Sequence, residues 1–179
     1  MRLSFVSKKS CSIVFAGLLM LVTNGASAAQ PGGYLGFSLG SADDEILDES
    51  DTGYKLLGGF TANENLGIEI AFVDLGSYPA FDPIFGPVVL DQYGVAFNGV
   101  GYLPVGNYLD LFGKLGLFAW TVDVGFATDD GMDLTYGFGA SLRMDSRLSI
   151  RAEWERFTDI SGGDVDLLSA GIAYHTFNR

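Results

Sequence analysis

The sequence predicts an all-β protein: an eight-stranded, antiparallel, up-and-down transmembrane β-barrel. Three observations predict it. Apolar and polar residues alternate with period two, the spacing of side chains on a strand. Turn signals cut the alternation into eight stretches, most of about 9–11 residues or more, the length a tilted strand needs to cross a bilayer; soluble strands have a mode near five or six. The N-terminus carries the three-part pattern of an export signal.

That signal comes first along the chain. Met1 to Ser10 holds Arg2, Lys8 and Lys9 and no acid, and Ile13 to Val22 is apolar. Ala26-Ser27-Ala28 then forms a small-x-small cleavage site. The apolar run is too short to span a bilayer as a helix, so residues 1–28 are expected to be a secretory signal peptide cleaved after Ala28, and residues 29–179 the barrel domain. The one cysteine, Cys11, precedes the apolar run, so neither a lipid anchor at a cleavage site nor a disulfide is expected. Loss of Arg2, Lys8 and Lys9 leaves seven Lys and Arg against 22 Asp and Glu, a net charge of −15. Nucleic acid is excluded as a partner on that charge.

The strands follow in order. Residues 33–41 form the first, ended by the acidic run 42–51; residues 52–62 form the second, ended by the tight turn "NEN". The third, 65–75, places Leu66, Ile68, Ile70 and Phe72 on one face and Gly67, Glu69 and Ala71 on the other. The fourth, 90–103, follows the long segment 76–89 and ends at "PVGN". In the fifth, 108–122, Lys114 shares a face with Phe112, Phe118 and Trp120, and the pattern is weaker. The sixth, 132–144, follows the segment 123–131 and opposes Leu134, Tyr136, Phe138, Ala140 and Leu142 to Thr135, Gly137, Gly139, Ser141 and Arg143. After the turn "DS", the seventh, 147–157, opposes Leu148, Ile150, Ala152 and Trp154 to Ser149, Arg151, Glu153 and Glu155. The eighth, 165–176, follows segment 158–164.

Four long and three short connections put both ends of the barrel domain on the short-turn side, the asymmetry of an outer-membrane barrel. Closure is required in lipid, where an open sheet edge would leave backbone groups unpaired. Large apolar faces opposed to small or charged ones predict lipid outside and a narrow lumen of small and ionic side chains. Tyr102, Tyr108, Phe60 and Tyr174 toward the short turns, and Trp120, Trp154 and Phe157 toward the long loops, are expected as two interfacial girdles. The competing reading is a soluble, exported, lipocalin-like barrel binding a small apolar ligand. It would put Arg151 and Glu153 in water and Ile150 and Trp154 around the ligand.

The stretch "TGYKLLGGFTANENLGIEIAFVDLG" (52–76) resembles the second-to-third-strand hairpin of the OmpA-like outer-membrane β-barrel family. "DLFGKLGLFAW" resembles its fifth strand, "SLRMDSRLSIRAEWERF" its sixth-to-seventh hairpin and "LLSAGIAYHTF" its last strand. The resemblance covers nearly the whole barrel domain, with degenerate motifs. It implies a Gram-negative outer-membrane location, lipopolysaccharide and lipid as surroundings, the barrel-assembly machinery as a partner in biogenesis, and no cofactor. It further implies a polar, plugged interior with an ionic network of Glu69, Lys114, Arg151 and Glu153. The C-terminus departs from the family pattern: Thr176 stands where an assembly-signal Phe falls, and Phe177 comes one residue late. The family's wall-binding domain is not expected here.

Chemistry is sparse. His175 is the one histidine, and the nearest same-face hydroxyl upstream, Ser169, is six residues and roughly 20 Å away at about 3.3 Å per residue, so no catalytic role is expected, a partner from a neighbouring strand being the one alternative left open. The acidic residues Asp43, Asp44, Glu45, Asp48, Glu49 and Asp51 lack the order of an EF-hand loop; a solvated loop or weak divalent-cation binding is expected. Tyr78, Phe81, Ile84 and Phe85, in a segment stiffened by three prolines, cap the barrel mouth, lie on the membrane or bind another molecule. The sequence as a whole predicts a structural or surface-interaction protein with no metal and no enzymatic activity, with a small or gated pore as the alternative; it names no external ligand.

Overall fold

The computed structural model describes residues 32–45, 49–82, 86–125 and 127–176. The expected signal peptide and the last three residues lie outside them. The described residues form eight strands: β1 Gly32–Asp44, β2 Glu49–Thr61, β3 Leu66–Asp82, β4 Gly86–Val105, β5 Leu109–Asp123, β6 Thr128–Arg143, β7 Leu148–Ile160 and β8 Gly163–His175. Each pairs antiparallel with the next, and β1 pairs with β8 to close the barrel.

Two of the turns at the end that holds Gly32 and His175 are set by local side chains. Asn63 Oδ1 accepts the Asn65 and Leu66 amides at 2.9 Å each, and Asp145 Oδ1 accepts those of Arg147 and Leu148 at 2.7 and 2.8 Å. At the other end, called the loop end here, much of what the sequence assigns to loops is strand. β3 and β4 stay paired through Asp82 and Gly86 across segment 76–89, and β6 already begins at Thr128. Pairing supplies the backbone hydrogen bonds there, and it overrides the turn-forming residues in those segments.

The two faces are inverted relative to a soluble protein along most of the wall. Ile150 is 43% exposed while Arg151 beside it is 4% exposed. Leu35, Ile68, Leu115, Phe138 and Leu168 look outward, whereas Lys55, Glu69, Lys114, Glu153 and Glu155 are buried in the lumen. This is the reverse of the lipocalin-like arrangement, which the structure overturns.

The outward apolar band stops at a polar seam near the loop end. Cross-strand neighbours Tyr54, Asp74, Tyr93, Thr121 and Asp130 follow one another from β2 to β6, and Arg156, Asp166 and Asp43 continue it over β7, β8 and β1. Near and beyond that level the interior becomes apolar: Val73, Leu75, Ala96, Phe118, Trp120, Phe157, Val165 and Leu167 pack in one cluster. The expectation of a lumen filled by small and ionic groups therefore holds only for its lower part. It also explains β5, where Lys114 and its aromatic face-mates all point inward at different levels.

The girdles need correction for the same reason. Trp120, Phe157 and Tyr102 are inside. The Trp120 indole donates to Asp133 at 2.8 Å, and the Phe118 and Phe157 rings lie 4.5 Å apart. Trp154 does face outward, against Tyr136 and Phe138, and Tyr108, Phe60 and Tyr174 are exposed.

Candidate functional site: the lumen network and the loop end

The lumen gathers charges from four strands. Glu69 projects from β3, Lys55 from β2, Lys114 from β5, and Arg151, Glu153 and Glu155 from β7, at successive inward positions of their alternation. Lys114 Nζ lies 2.9 Å from Glu69 Oε1, 2.7 Å from Glu153 Oε2 and 2.8 Å from Glu155 Oε1. Arg151 Nη1 lies 2.8 Å from Glu69 Oε2, and its Nη2 lies 3.3 Å from Glu153 Oε2. Lys55 bridges Glu153 and Glu155. Three acids thus face three bases, and the cluster is neutral. Burial would be prohibitive for any one of these ions alone; mutual pairing with additional hydrogen bonds offsets it.

Below the cluster, toward the short turns, aromatics complete the packing. The Arg151 guanidinium lies 4.5 Å from the Phe112 ring centroid and 5.6 Å from that of Tyr34. The Tyr34 hydroxyl donates to Glu69 Oε2 at 2.8 Å and lies 2.9 Å from the Tyr102 hydroxyl. Tyr34 fits because its neighbour across the ladder is Gly59: a Cβ there would run into the phenol ring.

The structure brings Glu69, Lys114, Arg151 and Glu153 together and adds Lys55, Glu155, Tyr34 and Tyr102. Glu155 is signalled by its place two residues after Glu153 on the polar face. Lys55 carries a weaker signal, a lone cation alternating with Tyr54 and Leu56. His175 does not meet Ser169. Its Nε2 lies 3.0 Å from Ser149 Oγ, supplied by the neighbouring strand. Ser149 is fully buried.

At the loop end the acidic run is divided. Asp44 is buried and accepts from Gln92 Nε2 at 3.0 Å, while Asp43 faces out. Glu45 pairs with Arg156 at 2.6 Å. Asp51 accepts the amides of Thr52 and Ser77, both at 2.7 Å, and these bonds hold its carboxyl below the usual range. Asp48 lies outside the described residues, as does the Glu49 side chain. Among the described residues no group of three His, Cys, Asp or Glu stands ready to hold a metal.

Tyr78 is buried in the barrel mouth, its hydroxyl donating toward the carbonyls of Leu75 at 2.8 Å and Ala42 at 3.0 Å, and burial pushes the phenol pKa up. A bulge places it there. Gly76 has φ +97°, Leu75 and Gly76 are both buried, and the inward phase of β3 moves on by one residue. The backbone at Phe81 belongs to β3, while Ile84 and Phe85 lie outside the described residues.

Comparison with known proteins agrees with this geometry. The family model of the outer membrane protein beta-barrel domain matches residues 13–175. No curated protein matches. Among solved structures, Ail, the attachment invasion locus protein of Yersinia pestis, determined with the heparin analogue sucrose octasulfate, is 18% identical over 81% of this chain and 97% of its own, with a TM-score of 0.55. The N-terminal β-barrel domain of Pseudomonas aeruginosa OprF is 9% identical over 82% and 99%, with a TM-score of 0.57. Neisserial surface protein A is 14% identical over 83% and 99%, with a TM-score of 0.55. At these identities the likeness is one of fold.

Proposed function

The chain belongs to the outer membrane β-barrel family, and on that premise we propose that it is a structural and surface-interaction protein whose lumen is plugged and whose loop end faces the outside of the cell. Residues 1–28 direct export in this reading, and lipopolysaccharide and lipid surround the apolar band. The observation that carries it is the filling of the lumen: six paired charges below, and a packed layer that includes Phe118, Phe157, Val73 and Leu167 above. An eight-stranded barrel is just wide enough for side chains to fill it. What remains available for interaction is the loop end, which rises past the polar seam.

The test has two parts. External protease on intact cells is expected to cut near Asp129 and to spare the "PVGN" turn until the outer membrane is opened. The purified barrel in a planar bilayer is expected to pass no steady current. Cleavage in the opposite order, or a persistent open channel, would overturn the reading.

A small gated conductance is the second reading. It is favoured by Asn98, Thr135 and Ser169, buried lumenal groups whose side-chain polar atoms have no protein hydrogen-bond partner. Such groups are satisfied by water, and water beside an ionic network is a route for ions up to the apolar layer.

A further inference from the structure

The hairpin made by the ends of β3 and β4 rises above its neighbours. β3 pairs with β2 only as far as Asp74, opposite Tyr54, and β4 pairs with β5 only as far as Asp91, opposite Asp123. The two strands go on pairing with each other to Asp82 and Gly86. Among the described residues no strand pairs with either flank of the hairpin beyond those points, and an unpaired edge invites another strand through its outward N–H and C=O groups.

These edges are interrupted. The Ser77 amide points toward β2, where Asp51 accepts it. Every second residue of an antiparallel strand points the same way. Pro79 is thus edge-facing on one flank, and its ladder partner Val89 and then Pro87 are edge-facing on the other. Two of these three positions have no N–H to offer. Backbone pairing with a partner strand is interrupted on both sides, by Pro79 on one flank and Pro87 on the other, and what the hairpin presents in their place is side chains.

The outward face carries Pro79, Pro87 and Val89, all exposed, with Val89 at 54%. Ser77, Asp91 and Tyr93 separate this apolar spot from the band that meets lipid. Asp91, two residues from Val89 on the same face of β4, and its ladder partner Asp123 stand beside it, and Asp43, Asp51, Asp129 and Asp130 add negative charge at this end. Its one base among the described residues, Arg156, is taken by Glu45, Asp164 and Asp166.

We propose that this face docks a cationic, amphipathic segment of a partner protein, its apolar side chains on Pro79, Pro87 and Val89 and its Lys or Arg residues on the carboxylates at this end. The proposal rests on the surface-interaction reading and specifies its partner. Charge complementarity selects the occupant: phosphorylated lipid headgroups and sulfated polysaccharides, including a heparin analogue of the kind bound by Ail, meet a field of their own sign.

The test uses the full barrel in nanodiscs of zwitterionic lipid, with a fluorescent peptide of Lys and Leu as the probe and two controls, the same peptide with Glu for Lys, and heparin. The Lys–Leu peptide is expected to bind above the level of empty nanodiscs and to weaken with salt, and neither control should bind. Val89→Ser with Pro87→Ser is expected to weaken binding about tenfold, the loss of one anchor. Asp91→Asn with Asp123→Asn should flatten the salt dependence. Retained mobility before boiling shows that each variant is folded. Equal affinity of the Val89→Ser, Pro87→Ser variant and the parent overturns docking on this hairpin, and preference for heparin or the Glu peptide overturns the charge argument. Binding no better than to empty nanodiscs overturns the proposal as a whole. All three outcomes leave the protease and conductance tests of the wider reading untouched.

Discussion

Arg151 on β7 reaches across the lumen to Glu69 on β3, its Nη1 2.8 Å from Oε2. The two residues belong to strands that do not pair, so the contact exists only because the sheet closes. Glu69 also accepts from Lys114 and Tyr34. Removing either charge strands its partner in a buried setting, and breaking such a pair costs roughly 3–5 kcal/mol. Glu69→Gln and Arg151→Met are each expected to destabilise strongly, and the double variant to lose much less than the sum. A double-mutant cycle on unfolding from lipid measures the coupling, and additive losses would mean that the pair contributes no interaction.

Ile150 and Ser149 test the medium outside. Ile150→Arg places a charge on the lipid face, which costs about 2–4 kcal/mol near the bilayer midplane and less near the interfaces. The penalty should shrink in detergent micelles, which deform around a charge. Ser149→Arg should be harmful in both media alike, because Ser149 is fully buried beside His175 and an Arg overpacks that corner. Unfolding free energies of both variants in bilayers and micelles decide this, and an Ile150→Arg penalty equal in the two media would contradict lipid contact.

Phe118 and Phe157 close the lumen above the charges. Phe118 is 1% exposed and Phe157 fully buried. Phe118→Ala should cost about 3–5 kcal/mol, as is usual for a large aromatic removed from a core. It should also raise the single-channel current above that of the parent. A variant that loses stability without any current would show that the ionic layer seals the lumen by itself.

Tyr34 needs the space beside Gly59. Gly59→Val should displace the phenol and cost about 1–3 kcal/mol by overpacking, and it should weaken the coupling between Glu69 and Arg151. Thermal unfolding of the variant, combined with Glu69→Gln, reads both effects.

Asp51 links stability to pH at the root of the protruding hairpin. Its folded-state pKa is lowered by the amides of Ser77 and Thr52. A group with a lowered folded value stabilises above its unfolded value and loses that contribution as the pH falls through the folded value. The stability gap between the parent and Asp51→Asn should therefore be full at neutral pH and close in strong acid. A gap unchanged down to the lowest pH would show that the carboxylate form is not what the amides hold.

The sequence by itself determined that there are eight strands, their order and the two faces of their membrane-level parts, because alternation is local and covalent. Spacing alone splits the run Leu148 to Glu155 into Leu148, Ile150, Ala152 and Trp154 against Ser149, Arg151, Glu153 and Glu155, and the charged set is the buried one. What alternation does not carry is which residues meet across the lumen. Lys55 finds Glu153 and Glu155 at separations of 98 and 100 residues, and only barrel closure and strand stagger set those levels. Nor does it carry the level at which the interior changes from ionic to apolar, which is why aromatic placement along the strands points Trp120 and Phe157 outward although both lie within. Tyr78 shows the remaining limit. A single bulge at Gly76 shifts the phase of β3 by one residue and turns Tyr78 into the mouth, and one residue of slip exchanges inside and outside for everything that follows it.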